Sequence, residues 1–215
     1  MSRQALCAAL AGVLLSGCAN AHVYAVREPA ARERLERLAA AVQPQTGHPE
    51  WHYWVRAIKM DRGCADVMVF RDHHIFLSDR LVDEGDDLLL AVLLAHAMAH
   101  HDLDHPDKGG WMRWFQLVGF GVAGAFLPGA GLIPVVTDPL VQRGMVSVQE
   151  RGADDLTVEY LDRMGYTAAD YVATLEFLQA RHWTEQVGGI DPVKQKNFSR
   201  RIERIRRRLP AGPAV

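Results

Sequence analysis

Residues Leu88–His105 read LLLAVLLAHAMAHHDLDH, and this stretch decides the fold. Its apolar composition predicts a helix, and the acidic residues Asp86 and Asp87 suit the N-terminus of that helix. His96 and His100 lie four residues apart, so on a helix they turn through about 40° and leave one face about one turn apart. Two imidazoles in this arrangement can reach one zinc ion.

Position 97, between the two histidines, holds an alanine. In the H-E-x-x-H motif of zinc metalloproteases, the residue after the first His is a Glu that acts as general base beside the metal. This chain has His96-Ala97-Met98-Ala99-His100 instead. The sequence therefore offers two metal ligands without the base. A histidine pair on an apolar helix can equally belong to the core or cap the helix, so a third ligand is needed to decide.

Two carboxylates further along the chain have the same helical spacing. Glu150 and Asp154 lie four residues apart, so both share one helix face. A catalytic zinc site takes three protein ligands and leaves one position for water. One carboxylate can therefore bind the metal, while the other accepts a hydrogen bond from a ligand histidine ring and fixes its tautomer. Taken alone, the pair is also typical of a solvated acidic face.

The composition is that of one globular domain. The chain has 215 residues, 49% of them hydrophobic, and a net charge of −2. This length is enough to bury a core without disulfides. The near-neutral charge argues against nucleic acid as a main partner.

The N-terminus is typical of a secretory signal peptide. Arg3 precedes the apolar run Ala5–Leu15, which is too short for a stable membrane span, and Ser16-Gly17-Cys18 follows. The cysteine at the predicted cleavage site makes the segment resemble a bacterial lipoprotein signal. By this resemblance, Cys18 would be lipidated and become the first residue of the mature protein. A chance cysteine in an ordinary signal peptide or an anchor helix is the alternative.

These features predict three parts of the chain: a signal peptide over residues 1–17, a lipidated tether over 18–28 and a folded domain over 29–210. Because Ala19 rather than Asp follows the cysteine, the lipoprotein resemblance implies a lipid-anchored protein of the cell envelope, on the outer membrane and facing the periplasm. Cys64 is then the only cysteine left in the domain, so no intrachain disulfide can form.

Hydrophobic periodicity predicts a mainly helical domain with a few strands. Thr167 and Asp170 form a potential capping box that would begin one helix. The predicted strands are Trp51–Ile58, Val67–Phe70 and His74–Leu77. Helices with two predicted ends are Pro29–Val42, Asp86 or Asp87 to Pro106, Leu140–Met164, and Thr167 to about His182. A short helix is also predicted from Asp79, and a last one contains Ile202, Ile205 and Leu209.

Two segments raise the question of lipid contact. Trp111–Thr137 is apolar and glycine-rich, and residues 117–136 could enter the bilayer, although the prolines and glycines favour a buried or membrane-grazing helical hairpin. The arginines between Arg200 and Arg208 could contact anionic lipid or simply form a solvated helix face, and the latter is favoured.

Together, the motifs resemble those of the gluzincin metallopeptidases related to HtpX and to the yeast-type CAAX prenyl protease, especially their bacterial lipoprotein members. The resemblance covers about residues 30–180. Each motif is short, but their order makes the set specific. The matching stretches are His74–Ser78 with Leu81, the helix Leu88–His100, His105, Glu150–Asp154 and Met164–Tyr166.

The resemblance implies a zincin-like metalloprotease domain with a small β-sheet over an active-site helix. It makes His96, His100 and Glu150 the ligands of a Zn²⁺ ion, and Asp154 the residue that orients a ligand histidine. His105 is not a ligand in the family. The substrate class implied is unfolded or membrane-associated polypeptide, which would add as a strand at the edge near His74.

Two departures from the family pattern matter. Val146 and Ser147 replace a common Ser-Arg pair, which alters the rim of the site. Ala97 replaces the general base, whose loss costs about 10²–10⁴-fold, so hydrolysis is expected to be very weak or absent. Asp102 is about 140° around the helix from Ala97 and is not expected to substitute. The alternative is a non-catalytic zinc-binding pseudoprotease that binds polypeptides, and Ala97 could be natural or engineered.

Overall fold

The computed structural model describes residues 24–25, 28–59, 65–106, 133–187 and 196–209. Helices predominate among them and the strands form one sheet, which confirms the prediction of a mainly helical α+β domain. The strands are β1 (Tyr24–Ala25), β2 (Trp54–Lys59), β3 (Val67–Phe70), β4 (His74–Ser78) and β5 (Glu185–Val187), and the helices are α1 (Pro29–Val42), α2 (Asp79–Glu84), α3 (Asp87–Asp102), α4 (Ile133–Arg163), α5 (Ala168–Ala180) and α6 (Lys196–Arg206).

The five strands are arranged in the order β1-β2-β4-β3-β5. β2 runs parallel to β4, β3 runs antiparallel to β4, and β5 runs parallel to β3. Side chains alternate between the two faces of a strand. One face of the sheet therefore joins the main core through Val55, Ala57, Val67, Val69, Ile75 and Leu77.

The prediction of a free strand edge near His74 is wrong. β4 lies inside the sheet, where it pairs with β2 on one side and with β3 on the other. The outer strands of the described sheet are β1 and β5. Both are too short, at two and three residues, to show the alternation that identifies a strand in a sequence, and neither was predicted.

Helix α3 is the centre of the domain. The side chain of Asp86 accepts a hydrogen bond from the Leu89 amide at 2.8 Å and caps the first turn, as its position predicts. Every residue from Leu89 to His101 is buried, because α3 packs against α1, α4, α5 and β3. Each fully buried leucine in such a helix contributes about 1.5–3 kcal/mol. The helix is therefore a rigid support for the side chains that it carries.

The element bounds follow the predictions closely, with explicable differences. β2 begins at Trp54 rather than Trp51, because the Trp51 amide closes a turn on the His48 carbonyl at 3.0 Å. The capping box at Thr167 and Asp170 is confirmed, with both of its hydrogen bonds present. α4 begins earlier than predicted, at Ile133.

No helix among the described residues is long and apolar enough to cross a membrane. Several sequence predictions concern parts of the chain that lie outside the described residues. They are the signal peptide over residues 1–17, the lipidation of Cys18, the free Cys64, the apolar segment over residues 111–132, and the side chains of Val146 and Ser147.

Candidate metal centre

His96 and His100 face each other one turn apart on α3. Both side chains are buried, and their Nε2 atoms lie 3.1 Å apart. The predicted common face of the two histidines is therefore confirmed. Their buried position does not by itself distinguish a metal site from a histidine pair in the core.

The carboxylates of α4 are buried beside this pair. Glu150 is 3% exposed and Asp154 is fully buried, so the interpretation as a solvated acidic face is wrong. Glu150 Oε2 lies 3.3 Å from His96 Nε2, and its Oε1 lies 3.5 Å from His100 Nε2. One nitrogen of each histidine and one oxygen of Glu150 lie within 4.8 Å of one another.

These separations fit a metal ion. Zinc binds nitrogen and oxygen at about 2.0–2.2 Å, so tetrahedral ligands lie about 3.3–3.5 Å from each other. The observed separations of 3.1, 3.3 and 3.5 Å are close to that value. Glu150 Oε2 is also buried and accepts no hydrogen bond from the described residues, its contact with Arg201 being only an ion pair. The cluster of His96, His100 and Glu150 could therefore hold a metal ion.

Asp154 does not hydrogen-bond His96 directly, as the resemblance would imply. Its Oδ1 is 3.8 Å from His96 Nδ1, which is too far for a hydrogen bond. The hydroxyl of Tyr171 lies between them, donating to Asp154 Oδ1 at 2.6 Å and lying 3.0 Å from His96 Nδ1. Thr157 Oγ1 is 3.2 Å from the same nitrogen. Asp154 thus orients His96 through Tyr171.

Arg201 on α6 is a central residue of the site that sequence reasoning missed. Its side chain is buried, and its Nε donates to Asp154 Oδ1 at 3.0 Å. Nη1 donates to Glu185 Oε2 at 2.7 Å and lies 2.9 Å from Glu150 Oε2. A signal did exist, since Arg201 lies between the buried Phe198 and Ile205 at helical spacing. Arg201 is therefore not part of a solvated or lipid-facing surface.

Glu185 was also missed. It begins β5, is 3% exposed and lies with its Oε2 3.7 Å from His96 Nε2. The strand is too short for its buried face to be read from the sequence. Only the pairing of β5 with β3 brings this carboxylate to the histidines of α3.

The other predicted positions lie around the centre. Ala97, the position at which the resemblance implies a general base, is fully buried. His105 lies outside the three-residue cluster and contacts His100, with their Nδ1 atoms 2.9 Å apart. His101 faces elsewhere, as predicted, with its ring 5.3 Å from that of His73.

Asp102 contacts neither His96 nor His100 through any hydrogen bond. Its carboxylate accepts from the Gly47 amide at 2.6 Å and from the hydroxyls of Tyr53 and Tyr160. These contacts hold the segment after α1 to α3 and α4. These partners agree with the predicted position of Asp102, about 140° around the helix from Ala97.

Burial and neighbouring charges set the protonation of the three residues in the cluster. Burial lowers the pKa of His100 well below its ordinary value of 6.5. Burial acts on His96 in the same direction, but the charges of Glu185 and Glu150 outweigh it and raise the His96 pKa. Burial acts to raise the pKa of Glu150, yet Arg201 and His100 hold it well below its usual range. His100 and Glu150 are therefore kept in the forms that bind metals.

Comparison of the chain with protein-family models and with curated proteins gives no match. The resemblance to gluzincin metallopeptidases rests on the short motifs quoted above.

Proposed function

We propose that this protein is a zinc-binding envelope lipoprotein of the metalloendopeptidase type in which peptide hydrolysis is very weak or absent. The observation that carries the proposal is the buried cluster of His96, His100 and Glu150, with the buried Ala97 directly after His96 in the chain. The cluster has the ligands of a catalytic centre on a zincin-like helix. The alanine removes the group that would make such a centre an efficient peptidase.

The donor set supports zinc as the metal. Two neutral imidazoles and one carboxylate form a ligand set of catalytic zinc sites, whereas sites for calcium and magnesium are built from oxygen. Bound zinc would supply a Lewis acid that polarises a carbonyl group and lowers the pKa of water. His96, His100 and Glu150 would hold the ion, and Tyr171, Thr157 and His105 would orient the imidazoles.

The same geometry accounts for weak hydrolysis. A general base has to lie within hydrogen-bond reach of the proton that it removes. Ala97 has no group for this, and the nearby carboxylates have other partners. Asp102 is engaged by Gly47 and Tyr160, Asp154 by Tyr171 and Arg201, and Glu185 by Arg201 through Oε2. The expected cost is about 10²–10⁴-fold in rate.

The partners and the location belong to the same proposal. The lipoprotein-like signal over residues 1–17, followed by Cys18, supports a lipid anchor in the cell envelope, on the outer membrane and facing the periplasm. Unfolded or membrane-associated polypeptide is the proposed ligand. The interior position of β4 means that such a ligand would not add at His74.

Hydrolysis of an unfolded protein by the full chain in detergent, with zinc, tests this proposal. We expect negligible cleavage by the chain as it stands and detectable cleavage by Ala97→Glu, stopped by a chelator. Rapid chelator-sensitive cleavage without the substitution would contradict the assignment of Ala97 as a missing base. If neither chain cuts and the chain binds polypeptide, the non-catalytic pseudoprotease remains as the function.

A further inference from the structure

We propose that Arg201 competes with the metal for the centre, so that its guanidinium has to leave His96 and Glu150 before an ion can bind there. This inference rests on the proposed metal centre and concerns how that centre is filled. The contacts of Arg201 carry it, because they involve the same atoms that would bind the ion.

The guanidinium of Arg201 lies against two of the three cluster residues. Its Nη2 is 3.1 Å from His96 Nε2, and its Nη1 is 2.9 Å from Glu150 Oε2. Glu150 has a second oxygen to offer, whereas the other nitrogen of His96, Nδ1, faces Tyr171 and Thr157. Because the N–H of Arg201 and a metal ion need the same lone pair of His96 Nε2, they cannot hold it at the same time.

The charges of the site also set Arg201 against a metal ion. Three buried carboxylates contact the Arg201 guanidinium, namely those of Glu150, Asp154 and Glu185. The positive charge of Arg201 therefore compensates buried negative charge in the metal-free centre. A divalent ion at His96 and Glu150 would repel a guanidinium held on the same atoms, because the interior of a protein screens charge poorly.

Arg201 has partners outside the cluster that can keep it in the site. Its Nε donates to Asp154 Oδ1 at 3.0 Å, and its Nη1 donates to Glu185 Oε2 at 2.7 Å. The other oxygen of Glu185, Oε1, is buried and accepts no hydrogen bond from the described residues, which is unfavourable for a carboxylate. Glu185 therefore offers a further acceptor to a guanidinium that gives up His96 and Glu150.

The consequence is a centre with two alternative cations, the guanidinium of Arg201 and the metal ion. The zinc affinity of the protein is then the affinity of the open cluster reduced by the fraction of molecules in which Arg201 has moved away. The net strength of a hydrogen bond to a charged group corresponds to about 10–100-fold in an equilibrium constant, so removing Arg201 should strengthen zinc binding by about this factor. A residue that only supports metal ligands has the opposite effect, because its removal weakens binding by about 10–100-fold.

Zinc binding by the full chain in detergent tests the proposal without relying on activity. Competition titration with a chromogenic chelator should show that Arg201→Gln binds zinc about 10-fold more tightly, or more, than the unchanged chain. In stopped-flow measurements, the rate of zinc binding to the unchanged chain should level off as zinc is raised, because Arg201 has to leave first. The rate for Arg201→Gln should keep rising in proportion to zinc. Arg200→Gln, at the exposed neighbouring position, is the matched control and should behave as the unchanged chain does.

Zinc affinity in Arg201→Gln that equals or falls below that of the unchanged chain would overturn the proposal. If Glu150→Gln weakens zinc binding in that case, the metal centre stands and the competition alone falls. If neither the unchanged chain nor Arg201→Gln binds zinc, the proposed function falls together with this inference. Metal-free unfolding curves check folding. Arg201→Lys keeps the charge but lacks the planar fork of donors, so it should also bind zinc more tightly, and it replaces Arg201→Gln if the latter does not fold.

Discussion

The guanidinium of Arg201 donates a hydrogen bond from Nη2 to Nε2 of His96 at 3.1 Å. A buried arginine therefore contacts the nitrogen that would bind the metal. The contact requires a lone pair on Nε2 and so places the proton of neutral His96 on Nδ1, facing Tyr171 and Thr157. That tautomer can bind a metal through Nε2, but an ion bound there would take the lone pair that Arg201 now occupies, so Arg201 would have to move away from His96.

Replacing Arg201 is expected to destabilise the metal-free protein strongly. Arg201→Gln would remove the positive charge that the buried carboxylates of Glu150, Asp154 and Glu185 contact. Breaking a buried ion pair typically lowers the unfolding free energy by about 3–5 kcal/mol. Urea unfolding measures this loss. Arg200→Gln, at an exposed neighbouring position, should change the stability by less than about 0.5 kcal/mol, and equal effects of the two substitutions would contradict the central role of Arg201.

Removing the hydroxyl of Tyr171 should weaken metal binding without removing a ligand. Tyr171→Phe keeps the ring but breaks the link between Asp154 and His96, and loss of such an orienting contact costs about 10–100-fold in metal affinity. Competition titration with a chromogenic chelator gives the zinc affinity. Tyr166→Phe is the control, and zinc affinities that match for the two variants would argue against the link through Tyr171.

The stability of the metal-free protein should fall as the pH drops below 6.5. Burial lowers the pKa of His100 in the folded protein well below 6.5, which is its ordinary value in the unfolded chain. Between the folded and the unfolded pKa, the unfolded chain therefore binds the proton in preference to the folded protein. The stabilisation is present above pH 6.5 and is lost as the pH falls, by at most about 1.4 kcal/mol per pH unit. The pKa of His96 is raised in the folded protein. Its contribution to the unfolding free energy is therefore complete below pH 6.5 and does not change that free energy further as the pH falls.

Urea unfolding of the chelator-treated protein between pH 7 and pH 5 measures this slope. His100→Gln should flatten it, whereas His52→Gln, at an exposed position, should leave it unchanged. Below about pH 4.5 the lowered pKa of Glu150 adds a loss of the same sign. A slope that persists in His100→Gln would show that another group controls the acid sensitivity.

The N-terminal cap of α3 should be measurable by itself. Asp86→Ala removes the acceptor of the Leu89 amide and is expected to cost about 1 kcal/mol of unfolding free energy. Asp83→Ala, at an exposed position of α2, provides the comparison and should cost less. No difference between the two would mean that the helix begins elsewhere.

The sequence predicted the parts of the site that lie at fixed spacing on one helix. His96 with His100 and Glu150 with Asp154 could be paired in this way, because four residues on a helix share a face regardless of the rest of the fold. The meeting of the two pairs came only from the family resemblance. Thr167 could be recognised as a cap because its partner Asp170 is three residues away.

Helical spacing indicated that Arg201 lies on the buried face of α6, but it could not place either Glu185 or Arg201 at the centre. Each reaches the centre through contacts between elements distant in sequence, namely the β5–β3 pairing and the packing of α6 against α4 and α5. The interior position of β4 was missed for a similar reason, since β2, which precedes β3 in the chain, pairs with β4 rather than with β3. Strand order depends on tertiary packing, which local periodicity does not report.

Zinc binding by the full chain tests the central claim most directly. Equilibrium titration of the unchanged chain should give one tightly bound zinc ion, with affinity reduced about 100-fold or more in Glu150→Gln. Glu159→Gln, on the exposed side of the same helix, should bind as the unchanged chain does. An unchanged chain that binds no zinc, or a Glu150→Gln variant that binds it as tightly as Glu159→Gln, would contradict the assignment of His96, His100 and Glu150 as a metal centre.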